Sequence, residues 1–528
     1  MTFLKSELAS FFYIYLLGNI FLLLNYEGIY WDDWVLYNVE SNSVLSMFHM
    51  HSGILLEGYT HLLLLSIGNG VFIYRILVFL AFIIIGTFLY KILSKYIVKS
   101  HNSAFWIVLI YLTIPLNSAK IALINAPYTF FLFLFFLAFY MLTRYLVNKR
   151  LILSRIGILL LFFLSFMLGS LLVFYAIVLL YIVYSIVIDV KRENNSNQGI
   201  TIAKRFMFGY VDFIMLPIIF YVLTKMYFQP YGLYENYNAT NFDFLKITYL
   251  MKTSLTTSIY EPILFSIQTS FNYWYIFIFV LGTIYFISQS KTIDEKPFTH
   301  NIVLFILGAL FYILAVFPYA VVGKLPQLGG WDSRHQILIP LAIAFMLYAV
   351  VSLFSRFNKH IAPLVLSLLI TVFTIQNMYN GYRYIQDWYY QVALEENFKL
   401  SKTIQNHTTF VTKIDLPDVL VNKRNLSFYE QNGRLKKVFG IDSRLMLTNE
   451  KDIERYKQYK SYKQYNFSKW IYEQPIFLTV SKTNIIDKDP LYILKMFYFQ
   501  FADNHKFRRM AKKLIKLKEV KEAQHVSR

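Results

Sequence analysis

Apolar residues run in blocks of about 17–25, the length that crosses a hydrocarbon core about 30 Å thick, and polar residues gather between the blocks. The blocks fall at 8–25, 71–90, 103–116, 127–146, 153–169, 171–189, 207–227, 272–289, 300–319, 337–354 and 361–379. Leu151–Val190 carries only Arg155 and Asp189 and splits into two spans at Gly169-Ser170, while the block at 103–116 is short and stops at Pro115. The first block is long and lacks a small-residue cleavage site, so it reads as an anchor. The pattern predicts an all-α polytopic membrane protein with about eleven spans over 1–380 and outer loops at 26–70, 228–271 and 320–336.

Residues 381–528 are patterned differently. They predict a helix over Tyr382–Asn406, a strand over Thr409–Ile414, a polar stretch rich in Lys and Tyr, a strand over Pro475–Val480 and a helix from about Pro490. A small α/β domain docked on the outer ends of the spans is expected. His505–Glu522 puts Phe507, Met510, Leu514, Leu517 and Val520 on one helical face, with Arg508, Arg509, Lys512, Lys513 and Lys516 around them. This basic amphipathic helix either caps the domain or lies on anionic headgroups.

Composition sharpens the class. The 528 residues are 57% hydrophobic and 16% charged, against about 45–50% and 25% in soluble domains, which excludes disordered and ordinary soluble proteins. Aromatics at 19% suit ring belts at the membrane interfaces. The absence of cysteine removes disulfides, thiolate nucleophiles and Cys-ligated metals. With the N-terminus inside, the inner segments hold 16 Lys and Arg and the outer ones six, which supports this orientation by the positive-inside rule. An odd span number then puts 381–528 outside, so its 28 basic against 16 acidic residues do not point to nucleic acid. A bacterial inner membrane fits best, although Asn238, Asn406, Asn425 and Asn466 begin Asn-x-Ser/Thr sequons that leave a eukaryotic host open.

The first outer loop carries the sharpest chemistry, in Glu27-Gly28-Ile29-Tyr30-Trp31-Asp32-Asp33-Trp34. The loop has five carboxylates and no Lys or Arg. Uncompensated like charges near low dielectric raise carboxylate pKa values, an arrangement suited to a proton, a metal or a substrate. The plain alternative is that an Asp caps a juxtamembrane helix. A divalent metal, Mg or Mn, held by Asp32 and Asp33 is left open. His49, His51 and His61 share the loop; His-x-His puts two rings on one face of an extended segment, and a metal-free polar cluster is the simpler reading. A second signal is Gly323–Gln336, in which Lys324, Trp331, Arg334 and His335 stand at headgroup level. Arg presents a planar fork to phosphate oxygens, and a snorkelling helix anchor is the alternative. The loop 228–271 is Tyr-rich, with Tyr231, Tyr234 and Tyr237, and its spacing specifies no site.

On the residues Trp31-Asp32-Asp33-Trp34, just after span one, with Arg334-His335 later and a C-terminal outer domain, the chain resembles the GT-C class of integral membrane glycosyltransferases. The resemblance implies transfer of a sugar from a polyprenyl-phosphate-linked donor to an envelope glycan or glycolipid. Chemistry of that kind needs a base for the acceptor hydroxyl, expected at Asp32 or Asp33. It also needs positive charge on the departing phosphate, expected at Arg334 with Lys324 and His335. Trp31, Trp34 and Trp331 are the expected sugar contacts, unless they belong to the interfacial belt. The C-terminal segment lacks an oligosaccharyltransferase-type Trp-Trp-Asp signature, which argues against transfer of a preassembled glycan to protein. Competing readings are an envelope polysaccharide polymerase, disfavoured by the few outer basic residues, and a lipid-linked sugar flippase, for which Arg75, Asp212 and Glu261 are the intramembrane ionisable residues.

Overall fold

Inside a bilayer every backbone polar group must be satisfied within its own segment, and all the apolar blocks are helical. The computed structural model describes residues 7–520 apart from 38, 53–55, 69, 149–151, 194–197, 241, 294–296, 417, 449–469 and 490. Lys5, Lys149, Arg150 and Lys296 of the charge asymmetry, the sequon at Asn466 and the end of the helix expected over 505–522 lie outside the described residues.

Helix α1 (Glu7–Leu24) is followed by three short helices at one end of the bundle, α2 (Asp33–Leu36), α3 (Ser41–Ser52) and α4 (Leu56–Ser66). The chain continues through α5 (Gly70–Ile92), α6 (His101–Thr113), α7 (Ala126–Asn148) and α8 (Ile152–Ser165). Next come α9 (Ser170–Phe174) and α10 (Ala176–Arg192), then α11 (Gln198–Gly209) and α12 (Val211–Tyr227). Helix α13 (Phe244–Leu255), a π turn at Thr256–Tyr260 and α14 (Glu261–Asn272) lead into α15 (Trp274–Ser288). The bundle closes with α16 (Phe298–Val321), α17 (Ile339–Ser352) and α18 (Ile361–Leu400).

Among the described residues seven helices are long and apolar enough to cross a membrane, or nine if each of two bent pairs is one span. The chain is thus a multi-pass integral membrane protein. The expected spans at 103–116 and 153–169 are helices of 13 and 14 residues, about 20 Å each and shorter than a hydrocarbon core. The expected span at 272–289 bends by 111° from the helix Phe244–Asn272, so much of the loop expected at 228–271 is helical. Helix α6 is the centre of the bundle, buried from Ser103 to Thr113. It packs on α1 through Phe11 and Phe105, with rings 5.5 Å apart, and on α17 through Tyr348, whose hydroxyl donates to Ser103 at 2.7 Å. Gly308 lets α16 close on α17, since a Cβ there would stand 2.7 Å from Met346 and 2.9 Å from the Ala342 carbonyl.

One end of the bundle is tied by Glu7 to Lys291 at 2.7 Å. The other carries the short helices and the C-terminal domain. Helix α18 has 40 residues, about 60 Å, so it crosses the bundle and projects beyond it. The boundary expected at 380 therefore falls inside one continuous helix. After α19 (Lys402–Asn406) come β1 (Thr409–Asp415), α20 (Phe428–Phe439), β2 (Leu445–Leu447), β3 (Ile476–Lys482) and β4 (Ile515–Glu519). The sheet order is β2-β1-β3-β4, with β1 parallel to both neighbours and β4 antiparallel to β3. The helix expected over 505–522 stops at Lys512, and Ile515–Glu519 is strand β4. Apolar and charged residues alternate there, Ile515, Lys516, Leu517, Lys518, and pairing with β3 selects the two-residue period over the helical one. The domain is fastened to α18 by Arg508–Glu396 at 2.8 Å and by Tyr389 against Phe507, 5.1 Å between rings.

Candidate active site

The acidic motif begins where α1 ends. Buried Arg75 of α5 donates to the carbonyl of Gly28 at 2.7 Å and reaches that of Asn25 at 3.4 Å, satisfying acceptors that the helix end leaves free. Tyr30 is locked by Asn25, whose amide donates to its hydroxyl at 2.6 Å, and donates in turn to the Tyr384 carbonyl. The chain then turns through Trp31 at φ 48°, a left-handed conformation that costs a non-glycine residue on the order of 1–3 kcal/mol. Asp32 follows in a helical conformation at φ −67° and ψ −4° and leads into α2 at Asp33, and consecutive helical positions point about 100° apart.

Asp33 is wholly buried. Its carboxylate accepts the N–H of Tyr30 at 3.1 Å and that of Ile124 at 3.0 Å, pinning the first loop to the turn before α7. Burial pushes its carboxyl up to about 7, against the pull of Arg75 and the backbone donors. Asp32 is the half-exposed member of the pair. Burial raises its pKa, the Tyr429 hydroxyl donates to it, Arg334 lowers it, and Glu430 adds repulsion. The two carboxylates therefore do not converge on one ion, and among the described residues no group of three or more His, Cys, Asp or Glu stands together as a metal site. The pair does not fit a bridging Mg or Mn.

The three outer loops singled out in the sequence meet here. Trp31 lies 5.8 Å from Trp331, ring to ring, and 5.7 Å from Tyr384. Arg334, 7% exposed, stacks 4.0 Å over Trp331, donates to its carbonyl at 3.1 Å and pairs loosely with Asp332 at 3.5 Å. Lys324 donates to Asn238 at 2.5 Å and lies 3.9 Å over the Tyr237 ring. Burial and the nearby Arg334 lower its pKa to about 8, against Asp332. His335 packs on Tyr319 at 5.0 Å. Burial, Arg334 and Lys324 lower its pKa to about 3, so it is neutral near pH 7 and adds no cation to a phosphate site. Ser333 accepts the N–H of Ala119 at 2.8 Å, tying this turn to the segment before α7.

Trp34, expected at a sugar contact, is instead wholly enclosed. It wedges the first loop against α20, with Arg434 5.1 Å and Lys437 5.9 Å from its ring. Gly433 permits this, since a Cβ there would meet Trp34 at 2.9 Å. Arg424 bridges Asp387 of α18 and Glu430 of α20 at 3.0 and 2.6 Å and lies 5.7 Å over Trp31. Tyr429, Glu430 and Arg424, all from the C-terminal domain, are the site residues that sequence reasoning missed. The available signal was Ser427-x-x-Glu430, which forms a capping box at the start of α20.

The histidines separate. His49 and His51 lie on helix α3, where residues two apart face opposite sides, so the shared-face geometry expected of an extended segment is not formed. His49 bonds Tyr231 at 2.9 Å, His51 packs on Tyr234 at 4.7 Å, and buried His61 bonds Tyr74. Arg75 is spent on the α1 terminus, and Asp212 pairs with Arg155 at 2.5 Å. Comparison with protein-family models, curated proteins and solved structures returns no match to this chain.

Proposed function

We propose that the chain is a membrane glycosyltransferase that moves a sugar from a polyprenyl-phosphate-linked donor to a cell-envelope glycan or glycolipid on the outer face of a bacterial inner membrane. The observation that carries this reading is the half-exposed Asp32 beside Arg334, at the end of the bundle where the C-terminal domain sits. Asp32 takes the acceptor hydroxyl proton as the new glycosidic bond forms. The bond from the sugar to the phosphate breaks, and the lipid phosphate leaves with the electron pair. Arg334 and Lys324 stabilise the negative charge that grows on its oxygens. Trp331, half-buried and stacked on Arg334, offers its ring to the sugar. Asp33 serves by holding the loop in place.

The test is mass spectrometry of envelope glycans and polyprenyl-phosphate sugars from cells making wild type or Asp32→Asn. Loss of one sugar from the glycan, with its lipid-linked form accumulating, is the expected result and names the donor. Unchanged pools, with the variant present in the membrane at wild-type level, refute the transferase reading and favour transport of a lipid-linked sugar.

A further inference from the structure

On the far side of the Trp31 wall lies a cleft of mixed polar and apolar lining that this chemistry does not use. It lies between α1, α18 and the turn Ser118–Ile121, and Asn19, Ser118, Lys120, Asn377, Asn380 and Tyr384 line it. Helix α1 breaks at Asn19, with φ −119° and ψ 16°. The Asn19 amide donates to the Tyr15 carbonyl at 3.0 Å, and its oxygen accepts from Lys120 Nζ at 2.6 Å. Asn19 stands five residues inside the end of α1 at Leu24, about 7.5 Å along the axis.

A lysine on a loop at a membrane edge ordinarily stretches its ammonium toward water. Lys120 does the reverse. Its ammonium turns into the bundle, 5.4 Å from the Tyr15 ring and 5.5 Å from the Phe82 ring. Among the described residues no carboxylate acts on it. A buried cation without a counter-ion carries a desolvation cost that an arriving anion removes. Asn380 accepts from Gln376 at 2.9 Å through its oxygen, and its amide hydrogens are committed to no other group among the described residues. Leu22 and Ile121 supply apolar walls. The combination of one cation, an amide donor and an apolar flank matches a phosphate attached to a lipid chain.

We propose that this cleft binds the phosphate head of a membrane lipid, with Lys120 as its cation and the Asn380 amide as a further donor. The site is separate from the one at Asp32 and Arg334. Tyr384 stands between them, 5.7 Å from the Trp31 ring, and Ser118 joins the wall through Ser333 at 3.1 Å. The inference does not rest on the transferase reading, since it concerns binding alone.

The experiment is native mass spectrometry of the detergent-purified full chain, carried in an Arg334→Gln background so that the candidate donor site does not contribute. Farnesyl phosphate, phosphatidylglycerol and inorganic phosphate are added in turn. A lipid adduct is expected that falls about tenfold or more in Lys120→Met, through loss of a charge-assisted hydrogen bond. The same fall is expected in Asn380→Leu, which keeps Lys120 and fills the cleft. Binding of farnesyl phosphate alone assigns a phosphomonoester lipid, and binding of phosphatidylglycerol alone assigns a phospholipid. The proposal is overturned if neither lipid binds, if both variants bind like their parent, or if inorganic phosphate binds as well as the lipids.

Discussion

Trp34→Ala separates the role expected of this residue from the one its surroundings give it. The indole is fully buried between the first loop and α20, with Arg434 at 5.1 Å, Lys437 at 5.9 Å and Gly433 beneath its ring. Truncating a buried tryptophan to alanine costs about 3–5 kcal/mol, and loss of the ring removes two cation–π contacts worth about 0.5–1 kcal/mol each or more when desolvated. A destabilisation of about 4–7 kcal/mol follows, concentrated at the contact between the bundle and the C-terminal domain. Hydrogen exchange of the detergent-purified chain reads it directly, as faster exchange across Phe428–Phe439 with α6 unchanged. Gly433→Ala, which drives a methyl to 2.9 Å from the indole, is expected to cost about 1–3 kcal/mol alone and far less in combination with Trp34→Ala, because both act on one contact. Trp331→Ala serves as the contrast, since that ring is only half-buried. Wild-type exchange in Trp34→Ala, accompanied by weakened sugar binding, would refute the packing argument and restore the residue to the substrate.

Two further predictions concern pH and have opposite signs. The Asp33 carboxyl is raised from 3.8 to about 7 in the folded chain, so the fold holds a proton that the unfolded chain releases, and its contribution to stability is lost as pH rises from about 4 to 7. The full swing is about 4 kcal/mol; thermal melting in detergent across that range is expected to show a shallower pH slope in Asp33→Asn than in wild type, and an unchanged slope would contradict it. His335 is lowered from 6.5 to about 3, so its contribution is lost as pH falls below 6.5, by about 2 kcal/mol at pH 5. His335→Gln is expected to melt closer to its own neutral-pH value at pH 5 than wild type does, and equal acid sensitivity in the two would show that the ring titrates normally.

The membrane class, the helical bundle and the strands at 409–414 and 475–480 were legible in the sequence, because each rests on local pattern. Apolar runs of a given length must be helices in lipid, and an aspartate pair or an Arg-His pair at a helix end shows in the order of residues alone. Span number was less legible, since hydropathy does not register a 111° bend at Tyr273 or that a 13-residue helix is enclosed by its neighbours. Nor could spacing decide between helix and strand over 515–519, where both periods fit and only the open edge of β3 chose. The division of labour within Asp32-Asp33 was beyond the sequence for a similar reason. Adjacent carboxylates are chemically identical until the fold turns one to the backbone of Tyr30 and Ile124 and leaves the other beside Arg334 and Tyr429. Tyr429 lies 397 residues further along the chain, and such a contact exists only once α18 has carried the C-terminal domain back over the first loop. Local pattern fixes what most segments are, and long-range packing fixes which charges are buried, paired or left facing open space, because desolvation depends on every neighbour at once.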